Sequence, residues 1–394
     1  MWTMNKSEDM EAVEHTRRQY FAARLVDWFR THQRDLPWRR TRDPYKIWVS
    51  EIMLQQTRVE TVIPYYERFL ERFPTLEALA EAPEEDVLKL WEGLGYYSRA
   101  RNLQTAVREV QSSYGGKVPD EPRDIATLKG VGPYTAGAIL SIAYGKPEPA
   151  VDGNVMRVLS RFFLLRDDIA KPATRKKMEK LLRSTIPEEA AGDFNQALME
   201  LGATICTPRS PHCLICPVME SCEGRLAGEE EALPVKTKAK PPRDERRLAA
   251  LIMGRGGQTG RILVRRRPET GLLAQMWELP HVLASAETPE LPRMAEEYTE
   301  AAASSGAAGA ALCAALEEEG LPELAASGLL TKADHIFSHI HWHMEVYRCS
   351  LAVIEDTILP EQYRWVTPDE LTTLALPKIF HKLLSQQVFQ SEIE

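Results

Sequence analysis

Cys206, Cys213, Cys216 and Cys222 fall within 17 residues as C-x6-C-x2-C-x5-C, and no other feature of the chain constrains its folding as strongly. The opening segment, MWTMNKSEDMEAVEHTRRQY, is charged from Lys6 onward and lacks the apolar stretch of a secretory signal, so a cytoplasmic protein is expected. Stable disulfides are disfavoured there, and a metal site of four thiolates is the better reading. Zinc and a 4Fe-4S cluster both accept four cysteines. Structural zinc sites more often use two close pairs far apart, whereas here a single C-x2-C is flanked by longer gaps. Cys313 and Cys349 are isolated and are expected as buried thiols.

At 394 residues the chain exceeds one ordinary core, and its texture changes along its length. Residues 15–225 read as successive helices with short Gly/Pro breaks. The charged, Pro-containing stretch after Cys222 has no periodicity and reads as an exposed linker. Beyond it, RRLAALIM, GRILVRRR and HWHMEVYRCSLAVI read as strands, with helical PRMAEEYTEAAASS and AALCAALEEEG between them. The Ala/Gly-rich tract 301–315 is read as a surface helix broken by a loop. The expected organisation is an all-α catalytic region over 1–225, a linker over 226–246 and a mixed α/β domain over 247–390. No apolar run is long enough to span a bilayer, and a monomer is expected. The formal charge of −8 is uneven: residues 1–250 carry 38 Lys and Arg against 37 Asp and Glu, and residues 251–394 carry 11 against 20. A near-neutral first part can still grip a polyanion through a local patch.

Two carboxylates stand out in the helical part. Asp43-Pro44 makes a good cap and first turn for a helix running through Leu54, which sets Ile47, Glu51 and Leu54 on one face. A glutamate in such a stripe is either ion-paired at the surface or desolvated, and desolvation lifts its pKa toward neutrality, as a general acid requires. Further on, LKGVGPYTAGAI (Leu128–Ile139) sets Gly130 and Gly132 in a tight turn before Pro133 opens a helix. Such a turn can be merely structural, or it can offer backbone N–H groups to a phosphate. About 20 residues later, PAVDGNVMRVLSR places Asp152 just before an amphipathic helix, where it could simply be a cap.

Hairpin, Asp-Gly-Asn-Val and cysteine loop, in this order over residues 30–225, resemble the helix-hairpin-helix glycosylase superfamily. The cysteine spacing resembles the cluster loop of the endonuclease III and MutY-type enzymes, which implies a 4Fe-4S cluster on Cys206, Cys213, Cys216 and Cys222. The resemblance divides the catalytic region into a helix-hairpin-helix barrel at about 31–140 and an iron-sulfur subdomain from 1–30 and 141–225. LPWR, WVSEIMLQQT and GLGYYSRARNL resemble MutY-type adenine DNA glycosylases closely. In that family the glutamate matching Glu51 is the acid, and the aspartate matching Asp152 is the central catalytic carboxylate. Members that also cut the DNA backbone carry a lysine before the Thr-Ala of the hairpin, and Tyr134 occupies that position here. Hydrolysis without strand cleavage is implied. Tyr134 and Asn154 are expected to orient the carboxylates. Gln56 and Tyr96 are expected to plug the stack left by a flipped base, and Arg39, Leu54 and Gln196 to line the adenine pocket.

The C-terminal segment GLLAQMWELP is similar to the one preceding the catalytic helix of Nudix hydrolases. With Gly320 aligned on the last glycine of that motif, Glu317 and Glu318 are in place, but Cys313 and Ala314 replace its Arg-Glu, so nucleotide hydrolysis is not expected. MutY-type enzymes carry such a domain to sense 8-oxoguanine, and Phe337-Ser338-His339 matches their hairpin loop for the oxidised purine. A metal site from His339, His341 and His343 is the rival reading of that segment; for His341 and His343 the ordinary solvent-facing role is preferred. The resemblance thus implies duplex DNA with A:8-oxoguanine or A:G mispairs as substrate. An endonuclease III-like pyrimidine or thymine glycosylase and a catalytically silent DNA-binding protein are the alternatives.

Overall fold

The computed structural model describes residues 6–238, 240–285, 288, 298–352 and 358–384, with 6–12 and 298–305 as backbone only. The extreme N-terminus of the expected iron-sulfur subdomain, residues 292–297 of the helical stretch and the last residues of the expected 247–390 domain lie outside the described residues. The chain packs as two compact units: Met1–Ala82 with Arg99–Ala239, and Pro83–Ser98 with Lys240–Glu394.

The first unit is helical. Its N-terminal helix, Lys6–His32, buries Phe21, Leu25, Val26 and Phe29 in one core with Phe162, Phe194, Leu198 and Leu201. Phe21 lies 4.2 Å from Phe162 between ring centroids, and each such buried aromatic contributes about 1.5–3 kcal/mol by leaving water. Helix Pro44–Leu54 starts where Asp43 caps it, the side chain accepting the Tyr45 N–H at 2.9 Å. It packs through Ile47 onto Ala138 and Ile142 of helix Pro133–Tyr144. The stretch after Cys222, read as an exposed linker, is in part held to this unit. Leu233 is buried and its carbonyl accepts the Arg161 Nε–H at 2.9 Å, Glu229 pairs with Arg166, and Val235 accepts the Ile169 N–H.

The second unit holds seven strands: β1 (Arg243–Ile252), β2 (Ile262–Arg266), β3 (Trp277–Glu278), β4 (His281–Leu283), β5 (Leu324–Ile336), β6 (Ile340–Leu351) and β7 (Tyr363–Val366). They form two sheets, ordered β4-β1-β6-β5 and β3-β2-β7, with β1 parallel and β5 antiparallel to β6. The strand β1 therefore begins inside the stretch read as linker. The helix Tyr298–Glu318 runs unbroken through the Ala/Gly-rich tract, contrary to the expected loop; it lies at the surface, as expected, with one face exposed through Ala307, Ala310, Ala311 and Ala314 and the other buried. Ala308, Leu312, Cys313 and Leu316 bury against Leu248, Ala250, Tyr347 and Cys349. This burial and the helix preference of alanine outweigh about 1 kcal/mol for each of Gly306 and Gly309. Among the described residues, no helix is long and apolar enough to cross a membrane.

Candidate active site and cysteine loop

Glu51 comes from the middle of helix Pro44–Leu54 and is only 4% exposed. Tyr134, in the first turn of helix Pro133–Tyr144, donates its hydroxyl to Glu51 Oε2 at 2.6 Å and lies 3.5 Å from the Met199 sulfur. Burial pushes the Glu51 carboxyl up to about 7; the Tyr134 hydrogen bond opposes this, the charge of Asp152 adds to it, and Arg39 pulls it back. Burial also lifts the Tyr134 phenol well above its ordinary value, so it stays a donor.

Asp152 caps helix Gly153–Phe162, its Oδ1 accepting the Val155 N–H at 2.7 Å. The second oxygen accepts the Asn154 amide at 3.1 Å. Burial raises its pKa, and these two hydrogen bonds with the nearby Arg157 charge oppose the rise. The cap that the sequence allowed is present, and the same carboxylate lies near enough to Glu51 for its charge to raise the Glu51 pKa. Asn154 is itself fixed: its carbonyl accepts Arg157 Nη2 at 2.8 Å, and that guanidinium also donates to the carbonyls of Gly202 at 2.7 Å and Cys206 at 2.8 Å. A run of hydrogen bonds therefore joins Asp152 to the backbone of the first cysteine.

Of the other residues expected at the site, Arg39 is held by an ion pair to Glu200 at 2.8 Å, together with Arg34. Glu200 is 1% exposed; burial would raise its pKa, but the two arginines hold it down at about 2. Leu54 ends its helix half-buried, and Gln196 donates to the Gly192 carbonyl at 3.3 Å. Gln56 and Tyr96 both sit in left-handed backbone, with φ of 59° and 48°, and Tyr96 is 43% exposed. Such strain in non-glycine residues is uncommon and concentrates at functional sites. Gly130 takes φ 79°, whereas Gly132 is extended at the cap of helix Pro133–Tyr144, where an added Cβ would meet open space. Of the two, Gly130 alone is needed for the turn.

Sequence reasoning missed Glu200, Arg157 and Gly202. A Cβ on Gly202 would lie 2.7 Å from the Asn154 Cβ, so glycine is needed to seat Asn154. Glu200 and Gly202 both lie in the segment read around Gln196, but no local signal marks a partner more than 40 residues away.

Cys206, Cys213, Cys216 and Cys222 line one small cavity with Arg161, Pro211 and Met219. Burial and the neighbouring cysteines together push Cys216 up to about 12; burial also raises Cys213 and Cys222, with Glu230 adding to the rise at Cys213 and neighbouring cysteines adding at both. Four sulfurs that penalise one another's charge fit a polynuclear cation between them, which would stabilise all four thiolates. Arg161 donates to Cys206 Sγ at 3.3 Å and to the Thr207 carbonyl at 2.7 Å, fixing the loop. These four residues would hold a 4Fe-4S cluster, which when bound would cross-link the loop 206–222 to itself, while Arg161 ties that loop to the helices. In the second unit, Cys313 and Cys349 are buried. Phe337-Ser338-His339 forms the β5–β6 turn, with Phe337 stacked edge-on to Trp342 at 4.8 Å and Ser338 Oγ 3.1 Å from His339 Nδ1.

Residues 49–184 match the HhH-GPD superfamily of base excision DNA repair proteins, residues 206–222 the iron-sulfur binding domain of endonuclease III, and residues 249–386 the NUDIX domain. Fold and site together define a helix-hairpin-helix base excision repair protein with an iron-sulfur loop and a Nudix-like domain. The chain is 36% identical to the human adenine DNA glycosylase over 94% of its own length and 74% of the human protein's. It is 35% identical to the mouse adenine DNA glycosylase over 92% of this chain and 77% of that one, and 38% identical to that of Arabidopsis thaliana over 68% and 48%. The chain belongs to the adenine DNA glycosylase family.

Proposed function

We propose that this chain hydrolyses the N-glycosidic bond of adenine mispaired with 8-oxoguanine or guanine in duplex DNA, without cutting the strand, acting as a single chain in the compartment that holds the DNA. The observation that carries the reading is the buried Glu51 carboxyl, poised near neutrality and held by a tyrosine hydroxyl at the position where a backbone-cutting relative would carry an amine. With Tyr134 donating to Oε2, the proton of neutral Glu51 resides on Oε1. From there it can pass to a purine ring nitrogen as the glycosidic bond breaks, turning adenine into a viable leaving group. Asp152, ionised and fixed by Val155 and Asn154, stabilises the oxocarbenium-like sugar, which water then attacks. The open first turn at Gly132 supports a phosphate docked on backbone N–H groups. The strained Gln56 and Tyr96 support filling of the stack vacated by the flipped base, and the exposed Ser338 and His339 support reading of the opposite purine.

The test is to incubate the protein with duplexes carrying A opposite 8-oxoguanine, A opposite G and T opposite G, and to cleave abasic sites with hot alkali. Release of adenine from the first two, with strand breaks only after alkali, is the expected result. Release of thymine alone, or strand breaks before alkali, would overturn the reading.

A further inference from the structure

The second unit carries a cluster that the proposed glycosylase chemistry does not use. His341 and His343 point to one face of β6 and their ring centroids lie 4.0 Å apart. Strand pairing brings Asp244 of β1 beside His341 and Asp334 of β5 beside His343. Asp244 Oδ1 lies 3.2 Å from His341 Nδ1 and 2.9 Å from His343 Nε2, and the three ligand atoms all lie within 4.8 Å of one another. Ligands of a tetrahedral ion with bonds near 2.0 Å stand about 3.3 Å apart, so these atoms need shift little to close on one.

The surroundings favour an ion. Arg246, which stands opposite His343 in the register, is turned to Glu345 of the next rung at 2.8 Å, and Lys332 on that rung lies 3.7 Å from the same carboxylate. Among the described residues, Asp244 and Asp334 have no lysine or arginine partner and face only the two imidazoles. Asp334 Oδ1 lies 2.6 Å from His343 Nδ1, on the side of the ring opposite Asp244. A metal-bound imidazole commonly donates its other N–H to a carboxylate in this way. The side chains are part-exposed, leaving a path for entry.

We propose that Asp244, His341 and His343 form a binding site for a first-row transition dication of the zinc type, with solvent as the fourth ligand and Asp334 orienting His343 from behind. Two imidazoles and one carboxylate suit zinc and disfavour calcium and magnesium, which prefer oxygen ligands. An ion here would cross-link β1 to β6 just below the Phe337–His339 turn. His339, grouped with these histidines in the sequence reading, is not part of the cluster; the missing carboxylates come from the two flanking strands.

The test uses the full chain with its iron-sulfur loop loaded, titrated with ZnCl2 in a calorimeter and analysed for iron and zinc after gel filtration. The expected result is one zinc per chain with iron content unchanged, lost in the double variant His341→Asn, His343→Asn. Asp334→Asn should keep the stoichiometry and weaken binding by roughly ten- to a hundred-fold. His15→Gln should behave as the parent, and MgCl2 and CaCl2 should not bind at the site. Circular dichroism without zinc checks that each variant folds. Absence of zinc uptake, or equal uptake by parent and double variant, would overturn the proposal and leave His343 as an imidazolium clamped between two carboxylates.

Discussion

Because Glu51 is buried and makes no ion pair among the described residues, its protonation couples both to activity and to stability. Its folded pKa, about 7, stands above the ordinary carboxyl value of 4.5. The neutral form therefore stabilises the fold fully below about pH 4.5, and this contribution fades as pH rises through 7, amounting to on the order of 3 kcal/mol. Glu51→Gln should accordingly raise the melting temperature relative to the parent at pH 8 and change it little at pH 4, while lowering adenine excision by roughly 10²–10⁴-fold below pH 7, a ratio that shrinks as Glu51 of the parent ionises above it. A parallel pair of melting curves at the two pH values, read with a single-turnover assay, checks both. A second prediction concerns Asn154. Its amide helps to hold the Asp152 pKa down, so Asn154→Ala should shift the acid limb of the rate profile to higher pH, whereas a purely structural role would lower the rate equally at all pH values. Glu51 and Asp152 were legible in the sequence because a carboxylate in an apolar stripe or at a cap leaves a local mark. Glu200 was not, since Arg34 and Arg39 meet it from more than 160 residues away.

At the scale of elements, helices Gly153–Phe162 and Ala191–Thr204 can approach closely only because position 202 has no side chain. Gly202→Ala would press on Asn154, whose own carbonyl and amide are both engaged. The expected outcome is a loss of about 1–3 kcal/mol of stability and a larger fall in turnover than in DNA affinity. The iron content should stay as in the parent; a variant with parental turnover would remove Gly202 from the support of the site. Strands β1, β2 and β6 were readable from their apolar runs. Strand β5 was not, because much of it is exposed and it carries bulges near Gly328 and Leu329, so it lacks clean alternation. The same non-local pairing hid the carboxylates that flank His341 and His343. Helix Pro44–Leu54 was read correctly because its start rests on a two-residue cap signal.

Over the whole molecule, the cysteine loop is tied to distant parts of the first unit. Arg17 of the N-terminal helix binds Glu223 and the carbonyls of Phe162 and Ser221, and Arg161 binds Cys206, Thr207 and Leu233. Removal of iron by a chelator under oxidation should therefore lower the unfolding temperature of the first unit. The second unit has its own two-sheet core. Differential scanning calorimetry should show one transition moving and the other staying in place; a uniform shift of both would contradict this division of stability. One further consequence follows from Tyr134. A phenol held fast to Glu51 cannot form an imine with the exposed sugar, so the reaction ends at an uncut strand bearing a base-free deoxyribose. Such a product is chemically fragile, and completing the repair falls to separate enzymes that incise the backbone, so slow departure from DNA would serve to shelter the damaged strand until they arrive.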